Sequence, residues 1–152
     1  LRPLEISAAI GFNQFKRLNK FKKTRFNNRI KIINKLTNSK KWKNQFSFID
    51  PIKKLDPSWF GLPILINNRY KKNKNKFLNF LNKNGVETRP IISGNFLNQP
   101  SVKLYGLNKN KEIFSGSQNV EERGFFIGIH VDPISDEKLD LLENKLLKIN
   151  EI

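Results

Sequence analysis

The stretch SWFGLPILINNRYKKNKNKFLNFLNKNGVETRPII, residues 58–92, decides the fold. Ser58 to Ile66 is apolar at nearly every position, which reads as a strand with both faces covered. Pro63 removes one ladder donor and points to an edge or a bulge. Asn67-Asn68 closes the strand. Tyr70 to Asn84 reads as a helix with Phe77, Leu78, Phe80 and Leu81 on its apolar side, and Gly85 stands at the helix C-cap. Val86 to Ile92 then reads as a short strand. A strand–helix–strand unit predicts an α/β domain.

Working outward, residues 4–36 read as one long helix or two abutting ones. Ala8, Phe12, Phe15, Leu18, Phe26, Ile30, Ile33 and Leu36 recur at three- and four-residue steps, and core packing is the expected use of that stripe. Pro3 suits a first helical turn. Residues 37–57 form a polar connector with turns at Thr37-Asn38-Ser39, Asp50-Pro51 and Asp56-Pro57. Within it, Trp42, Phe46 and Phe48 could pack or begin an edge strand. Ser93 to Asn110 is loop-rich, and Ser117 to Glu122 forms a helical turn closing at Gly124. Phe125 to Val131 is a third strand, ended by Asp132-Pro133. Ser135 caps a last helix with acidic residues in its first turn and Leu139, Leu142, Leu146 and Ile149 on its buried face. The expected architecture is a three-stranded sheet covered by helices and led by a long helix.

The 152 residues suffice for one domain with a core. No apolar stretch nears the roughly 20 residues of a membrane helix. Cysteine is absent, which excludes disulfides, thiolate metal sites and cysteine nucleophiles within these residues. The chain begins at Leu and contains no Met, so the expectation is a piece of a longer protein. The net charge is +16, from 22 Lys and 7 Arg against 13 acidic residues. A nucleic-acid binder would be basic. Yet 21 Asn, 17 Ile and 13 Phe accompany the Lys, and A/T-rich codons raise all four together. The basic residues are scattered and poor in Arg, the better phosphate and guanine fork. Compositional drift is the favoured reading, and an anionic small substrate fits the charge equally well.

The residues alone offer weak catalytic signals. His130 is the one imidazole and ends the third strand. No metal-ligand spacing, GxGxxG motif or phosphate loop is present. Two clusters stand out. Glu87-Thr88-Arg89-Pro90-Ile91-Ile92-Ser93-Gly94-Asn95 places an Arg beside a flexible turn, where it could grip a carboxylate or phosphate bidentately, or simply pair with Glu87. Gly128-Ile129-His130 is a second strand end. If the two strands are neighbours, both ends could face one crevice.

These residues resemble the DegT/DnrJ/StrS sugar aminotransferase family. The opening run, Leu1-Arg2-Pro3-Leu4-Glu5-Ile6-Ser7-Ala8-Ala9-Ile10-Gly11-Phe12-Asn13-Gln14-Phe15, is similar to the family's helix after the active-site segment. Ser58-Trp59-Phe60-Gly61, Gly85 to Ile91, Ser93-Gly94-Asn95-Phe96 and Gly124 to His130 follow in family order. The resemblance implies the small C-terminal domain of a fold-type I, PLP-dependent homodimer. It implies a cytoplasmic enzyme acting on a nucleotide-linked keto-deoxyhexose for surface polysaccharide synthesis, with glutamate as the usual amino donor. In the related 3-dehydratase branch a His replaces the Schiff-base Lys, and the Arg-Pro-Ile and Gly-Asn-Phe runs look closer to that branch. The resemblance implies residues 1–36 as a helix linking to a large domain and 37–152 as the small domain. The Schiff-base residue would lie upstream, leaving no catalytic residue and no metal site here. Arg89, Gly94, Asn95 and His130 would face substrate, with Arg2 and Glu5 at the dimer or cofactor edge. Ile129 departs from the family's usual Asn and cannot donate an amide hydrogen bond. Two other classes are carried beside this: a basic nucleic-acid-binding module, and an inactive homologue serving only as a folded or dimerising module.

Overall fold

The computed structural model describes residues 4–107 and 113–152. Helix α1 runs unbroken from Glu5 to Thr37. Strand β1 is Phe46–Phe48 and β2 is Gly61–Ile66. A 3-10 turn at Asn68–Asn73 leads into α2, Lys74–Lys83. Strand β3 is Thr88–Arg89. A 3-10 turn at Phe96–Asn98 and the short α3, Pro100–Leu104, follow. Helix α4, Ser115–Arg123, feeds directly into β4, Gly124–Gly128. Helix α5, Asp136–Leu146, ends in a 3-10 turn at Leu147–Asn150.

The sheet has four strands in the order β1-β2-β4-β3, every neighbouring pair antiparallel. The expected three strands are therefore joined by a fourth, the Phe46–Phe48 segment. It is the edge strand that Phe46 and Phe48 allowed for, and Phe46 anchors it, stacked 5.9 Å from Phe77 and edge-on to Phe125. Strands β2 and β3 run parallel with β4 between them, so residues 58–92 form a split strand–helix–strand unit.

Strand β2 alternates rather than being covered on both faces. Leu62, Ile64 and Ile66 are fully buried, while Gly61, Pro63 and Leu65 are half-buried. Pro63 lies in an interior strand and needs no bulge. The Asn67 N–H bonds the Gln45 carbonyl and the Ile129 N–H bonds the Phe60 carbonyl. Odd residues of β2 thus face β1 and even residues face β4. Pro63 directs its missing donor past Phe48, where β1 has ended.

The core joins Leu62, Ile64 and Ile66 to Phe77 and Leu81 of α2, Phe125 and Ile127 of β4, Leu139 and Leu146 of α5, and Ile32 and Leu36 of α1. Helix α5 follows its expected pattern, with the Ser135 hydroxyl accepting from the Lys138 N–H. Gly85, at φ +79°, ends α2 in the left-handed conformation. Helix α1 departs most from expectation. Phe12, Phe15, Leu18, Phe26 and Ile30 are exposed, and residues 5–20 are exposed throughout. Ile33 and Leu36 of the expected stripe do pack at the core, joined there by Asn28, Arg29 and Ile32, which the stripe did not include. Strand β3 spans only two residues of the expected seven, and β4 ends at Gly128 rather than Val131. The expected loop after Ser93 holds two helical turns, while Asn108 to Asn110 lie outside the described residues.

Candidate functional site

Antiparallel pairing decides how the candidate residues are distributed. Thr88 pairs with Ile127 and Arg89 with Phe126. The chain leaving β3 therefore runs toward the start of β4, whereas His130 lies beyond the other end of β4. His130 lies four positions beyond Phe126, about 13 Å along an extended chain. Arg89, Gly94 and Asn95 share one end of the sheet and His130 takes the other. The single crevice expected for neighbouring strand ends does not form, because that expectation requires parallel strands.

At the first end, loop 93–98 is bolted to α4. Ser93 and Gly94 both have left-handed backbones, at φ +68° and +51°. Glycine is required at 94, since a Cβ there would stand 3.0 Å from Cβ and Cγ of Glu121 as well. Asn95 is 6% exposed. Its N–H donates to Glu121 Oε2 at 2.8 Å and its Nδ2 to Gln118 Oε1 at 2.8 Å. Its Oδ1 accepts from the Leu97 N–H and caps the 3-10 turn. Asn98 Nδ2 adds a bond to Glu121 Oε2 at 2.9 Å. Glu122, one residue on, is held below the ordinary carboxylate range first by the Gln118 amide and then by Lys71. Arg89 is exposed and donates from Nε and Nη2 to Glu87 Oε1, at 2.9 and 2.7 Å. The plain ion pair is thus the contact Arg89 makes here.

At the second end, His130 is exposed and its Nδ1 accepts from the Asp132 N–H at 3.1 Å. The Asp132 carboxylate lies 3.3 Å from the same nitrogen. Behind this loop stands Asn28, which is 3% exposed. Its Nδ2 donates to the His130 and Asp132 carbonyls and its Oδ1 accepts from the Ile134 N–H. Asn28 thereby diverts the chain from the sheet after Gly128. Glu5 lies exposed in the first turn of α1, and Arg2 lies outside the described residues.

Between the two ends, the face of the sheet away from the core is apolar and open. Trp59, Phe60, Pro63, Ile91, Ile92 and Phe126 line a depression of about 490 Å³. Arg29 stacks 4.4 Å over Trp59, and its Nη2 donates to the Ile49 carbonyl at 2.5 Å. That contact joins α1 to the connector before β2. Sequence reading missed Asn28, Arg29, Gln118 and Glu121. The one signal for the first two was their polar character inside a helical spacing that also contains Ile32 and Leu36. Gln118 and Glu121 gave none. Among the described residues no cluster of His, Cys, Asp and Glu could hold a metal ion, and no helix is long and apolar enough to cross a membrane.

The model of the DegT/DnrJ/EryC1/StrS aminotransferase family matches residues 2–145. Over 147 residues the chain is 29% identical to the GDP-4-keto-6-deoxy-D-mannose 3-dehydratase of Escherichia coli O55:H7, covering 96% of this chain and 36% of that protein. The Salmonella typhimurium lipopolysaccharide biosynthesis protein RfbH is 26% identical over 145 residues, 95% of this chain and 32% of its own. The chain thus spans about a third of the length of the curated relatives it matches. Among solved structures, a GDP-4-keto-6-deoxymannose 3-dehydratase variant with bound GDP-perosamine superposes with a TM-score of 0.77 at 26% identity, over 96% of this chain and 36% of that one. The Helicobacter pylori aminotransferase PseC shares the fold, with a TM-score of 0.80 at 18% identity, over 99% of this chain and 38% of that one.

An E. coli 3-dehydratase structure of the same fold carries hydrated PLP. PLP needs a group facing its aldehyde, a carboxylate at its ring nitrogen and a cradle for its phosphate. The candidate residues do not assemble that set. Asn95 spends its amide on α4, Arg89 is paired with Glu87, and His130 stands at the far end of the sheet. The described residues do not make a PLP pocket by themselves.

Proposed function

The chain belongs to the DegT/DnrJ/EryC1/StrS aminotransferase family, and on that premise we propose that it is the C-terminal part of a PLP-dependent enzyme acting on a nucleotide-linked keto-deoxyhexose. The match over residues 2–145 carries this reading. The exposed apolar side of α1 and the open sheet face support it, since a monomeric domain rarely leaves so much contiguous apolar surface bare. In this reading residues 1–36 link to a large domain and residues 37–152 form the small domain. The complete enzyme is a cytoplasmic homodimer serving surface polysaccharide synthesis.

Amination with glutamate and 3-dehydration are the two reactions open to it. Identities of 29% with two 3-dehydratase sequences favour dehydration. Arg89, Gly94 and Asn95 are assigned to substrate at one end of the sheet and His130 to substrate at the other, with Arg2 and Glu5 at the dimer or cofactor edge. Gly94 and Asn95 act through backbone shape, because the Asn95 side chain is already engaged. The isolated chain is expected to be inactive, with the Schiff-base position upstream.

The test is to read the coding DNA upstream of Leu1 and assay the complete product with PLP, glutamate and GDP-4-keto-6-deoxymannose. A cofactor-segment His with 3-deoxysugar product supports dehydration, and a Lys with amino-sugar product supports amination. A complete protein that has the cofactor segment yet consumes no nucleotide sugar overturns the proposal.

A further inference from the structure

The fold gathers positive charge at one end of the domain, where we propose that the chain binds a single-stranded nucleic acid through its phosphates. This stands apart from the sugar-enzyme reading and does not rest on it. Residues 6–49 carry 12 Lys and Arg and no acidic residue, and residues 57–86 carry six more and again no acid. A/T-rich codons account for many lysines, but they do not clear aspartate and glutamate from particular stretches. The fold then sets parts of the two acid-free stretches side by side. The Arg69 guanidinium donates to the Lys43 carbonyl, Asn150 Nδ2 donates to the Lys41 carbonyl, and the Tyr70 hydroxyl donates to Asn150 Oδ1.

Lys40, Lys41 and Lys43 are exposed on the connector after α1. Arg69 and Lys72 are exposed on the 3-10 turn at Asn68–Asn73, where side chains three apart eclipse each other. Among the described residues none of these five pairs with an Asp or Glu side chain. Arg69 and Lys41 rest on neutral oxygens instead, the Lys43 carbonyl and Asn144 Oδ1. The acids that border this end are already taken, Glu122 by Lys71, Glu143 by Lys35 and Glu151 by Lys148. The bond from Lys148 first, and the nearby charge of Lys41 as well, hold the Glu151 carboxyl below its ordinary range. The five cations are left for an anion from outside the chain to neutralise.

The surroundings of the cations decide which anion. Among the described residues no large apolar side chain is exposed within 38–48 or 67–76, whereas a lipid surface calls for apolar side chains that enter it. A hydrated polyanion fits this end and a bilayer does not. Two half-buried aromatic residues stand among the cations. Trp42 stacks on Phe48 with ring centroids 6.1 Å apart, and Tyr70 carries the Arg69 guanidinium 4.7 Å from its ring centroid. Cations interleaved with aromatic rings suit phosphates that have unpaired bases beside them. The carboxylates of an acidic protein would leave the rings without a partner.

The test uses the 152-residue chain and fluorescence anisotropy with labelled oligonucleotides of mixed sequence, single-stranded and duplex, between about 50 and 200 mM salt. The expected result is saturable binding of the single strand, tighter than of the duplex and weakening with salt. The triple variant Lys40→Gln, Lys43→Gln, Lys72→Gln removes three exposed cations of the patch. It should weaken binding at least about ten-fold and lower the salt slope by about 2, near 0.7 for each lost phosphate contact. The control triple Lys16→Gln, Lys20→Gln, Lys23→Gln, on the exposed half of α1, removes the same charge and should change affinity less than about two-fold, because distant charges are screened. Thermal melting of both triples checks that they fold like the parent. Equal loss in the two triples would show that binding follows net charge alone and would overturn the patch. Tighter duplex binding would overturn the single-strand assignment. Equal competition by poly-glutamate of matched charge, or equal binding to vesicles of anionic lipid, would overturn the nucleic-acid assignment. No binding at the lowest salt would overturn the proposal outright.

Discussion

The Asn28 carboxamide donates to the Asp132 carbonyl at 2.8 Å, across 104 positions of the chain. With the bonds to the His130 carbonyl and from the Ile134 N–H, it satisfies three backbone groups where β4 leaves the sheet. Helix α1 and the His130 loop are therefore one mechanical unit. Asn28→Ala should destabilise the chain by about 2–4 kcal/mol, because it strands buried polar groups rather than removing matched pairs. Urea unfolding measures this. A change under about 0.5 kcal/mol would mean that water replaces the amide without penalty.

Close packing at Gly61 gives a second prediction. A Cβ there would stand 2.6 Å from Cδ2 of Phe126 and 2.9 Å from the Ile127 carbonyl oxygen. The ring can turn aside, but the ladder carbonyl cannot. Gly61→Ala should therefore cost about 1–3 kcal/mol and shift the amide signals of β4. Wild-type stability in this variant would show that β2 and β4 separate more easily than the register implies.

Much of this fold was legible because its elements obey strong local rules. Gly85 ends α2, Ser135 caps α5, and the Leu139–Ile149 stripe faces the core as its spacing requires. What failed to show were properties of pairing. Strand β1 is three residues in a polar segment, readable as either loop packing or an edge strand until Phe77 and Phe125 are seen against Phe46. The Phe stripe of α1 reads as core, yet its Phe residues are exposed and Asn28 and Arg29 turn inward instead, their polarity matched by partners far along the chain. The same holds for the candidate site. Arg89 and His130 are nameable from sequence, but their separation follows from antiparallel pairing, which a strand–helix–strand pattern does not reveal. Glu121 is invisible until α4 is seen against loop 93–98.

That clamp yields a local-stability prediction. Glu121 Oε2 accepts from both the Asn95 N–H and Asn98 Nδ2. Glu121→Ala removes both bonds and the wall against Gly94. Hydrogen exchange at Asn95 and Leu97 should accelerate about ten-fold or more while the β4 amides keep their protection. Equal acceleration in both would mean global weakening rather than a local clamp.

Glu122 sets a pH dependence. The Gln118 amide first, and Lys71 second, hold its folded-state carboxyl below the usual range. A depressed carboxylate contributes stability that is present above its unfolded value and is lost as pH falls through the folded one. The loss therefore belongs in the acid range, below about pH 4.5. Glu122→Gln should flatten that part of the profile of Tm against pH. An unchanged acid slope would remove Glu122 from the set of groups that set acid stability.

The exposed side of α1 separates what the chain needs for folding from what its surface is for. Phe12 and Phe15 are 63% and 72% exposed, whereas Ile32 on the same helix is 3% exposed. Burial energy scales with the area removed from water, so the first two contribute little to this domain and the third contributes fully. Ile32→Ala should cost about 2–4 kcal/mol. The double variant Phe12→Ser, Phe15→Ser should stay within about 1 kcal/mol of the parent and should lower self-association in light scattering. In a complete enzyme, where the proposed large domain covers this stripe, the same double variant should be strongly destabilising. A large loss in the 152-residue chain itself would instead mean that α1 already folds back onto a partner surface in solution.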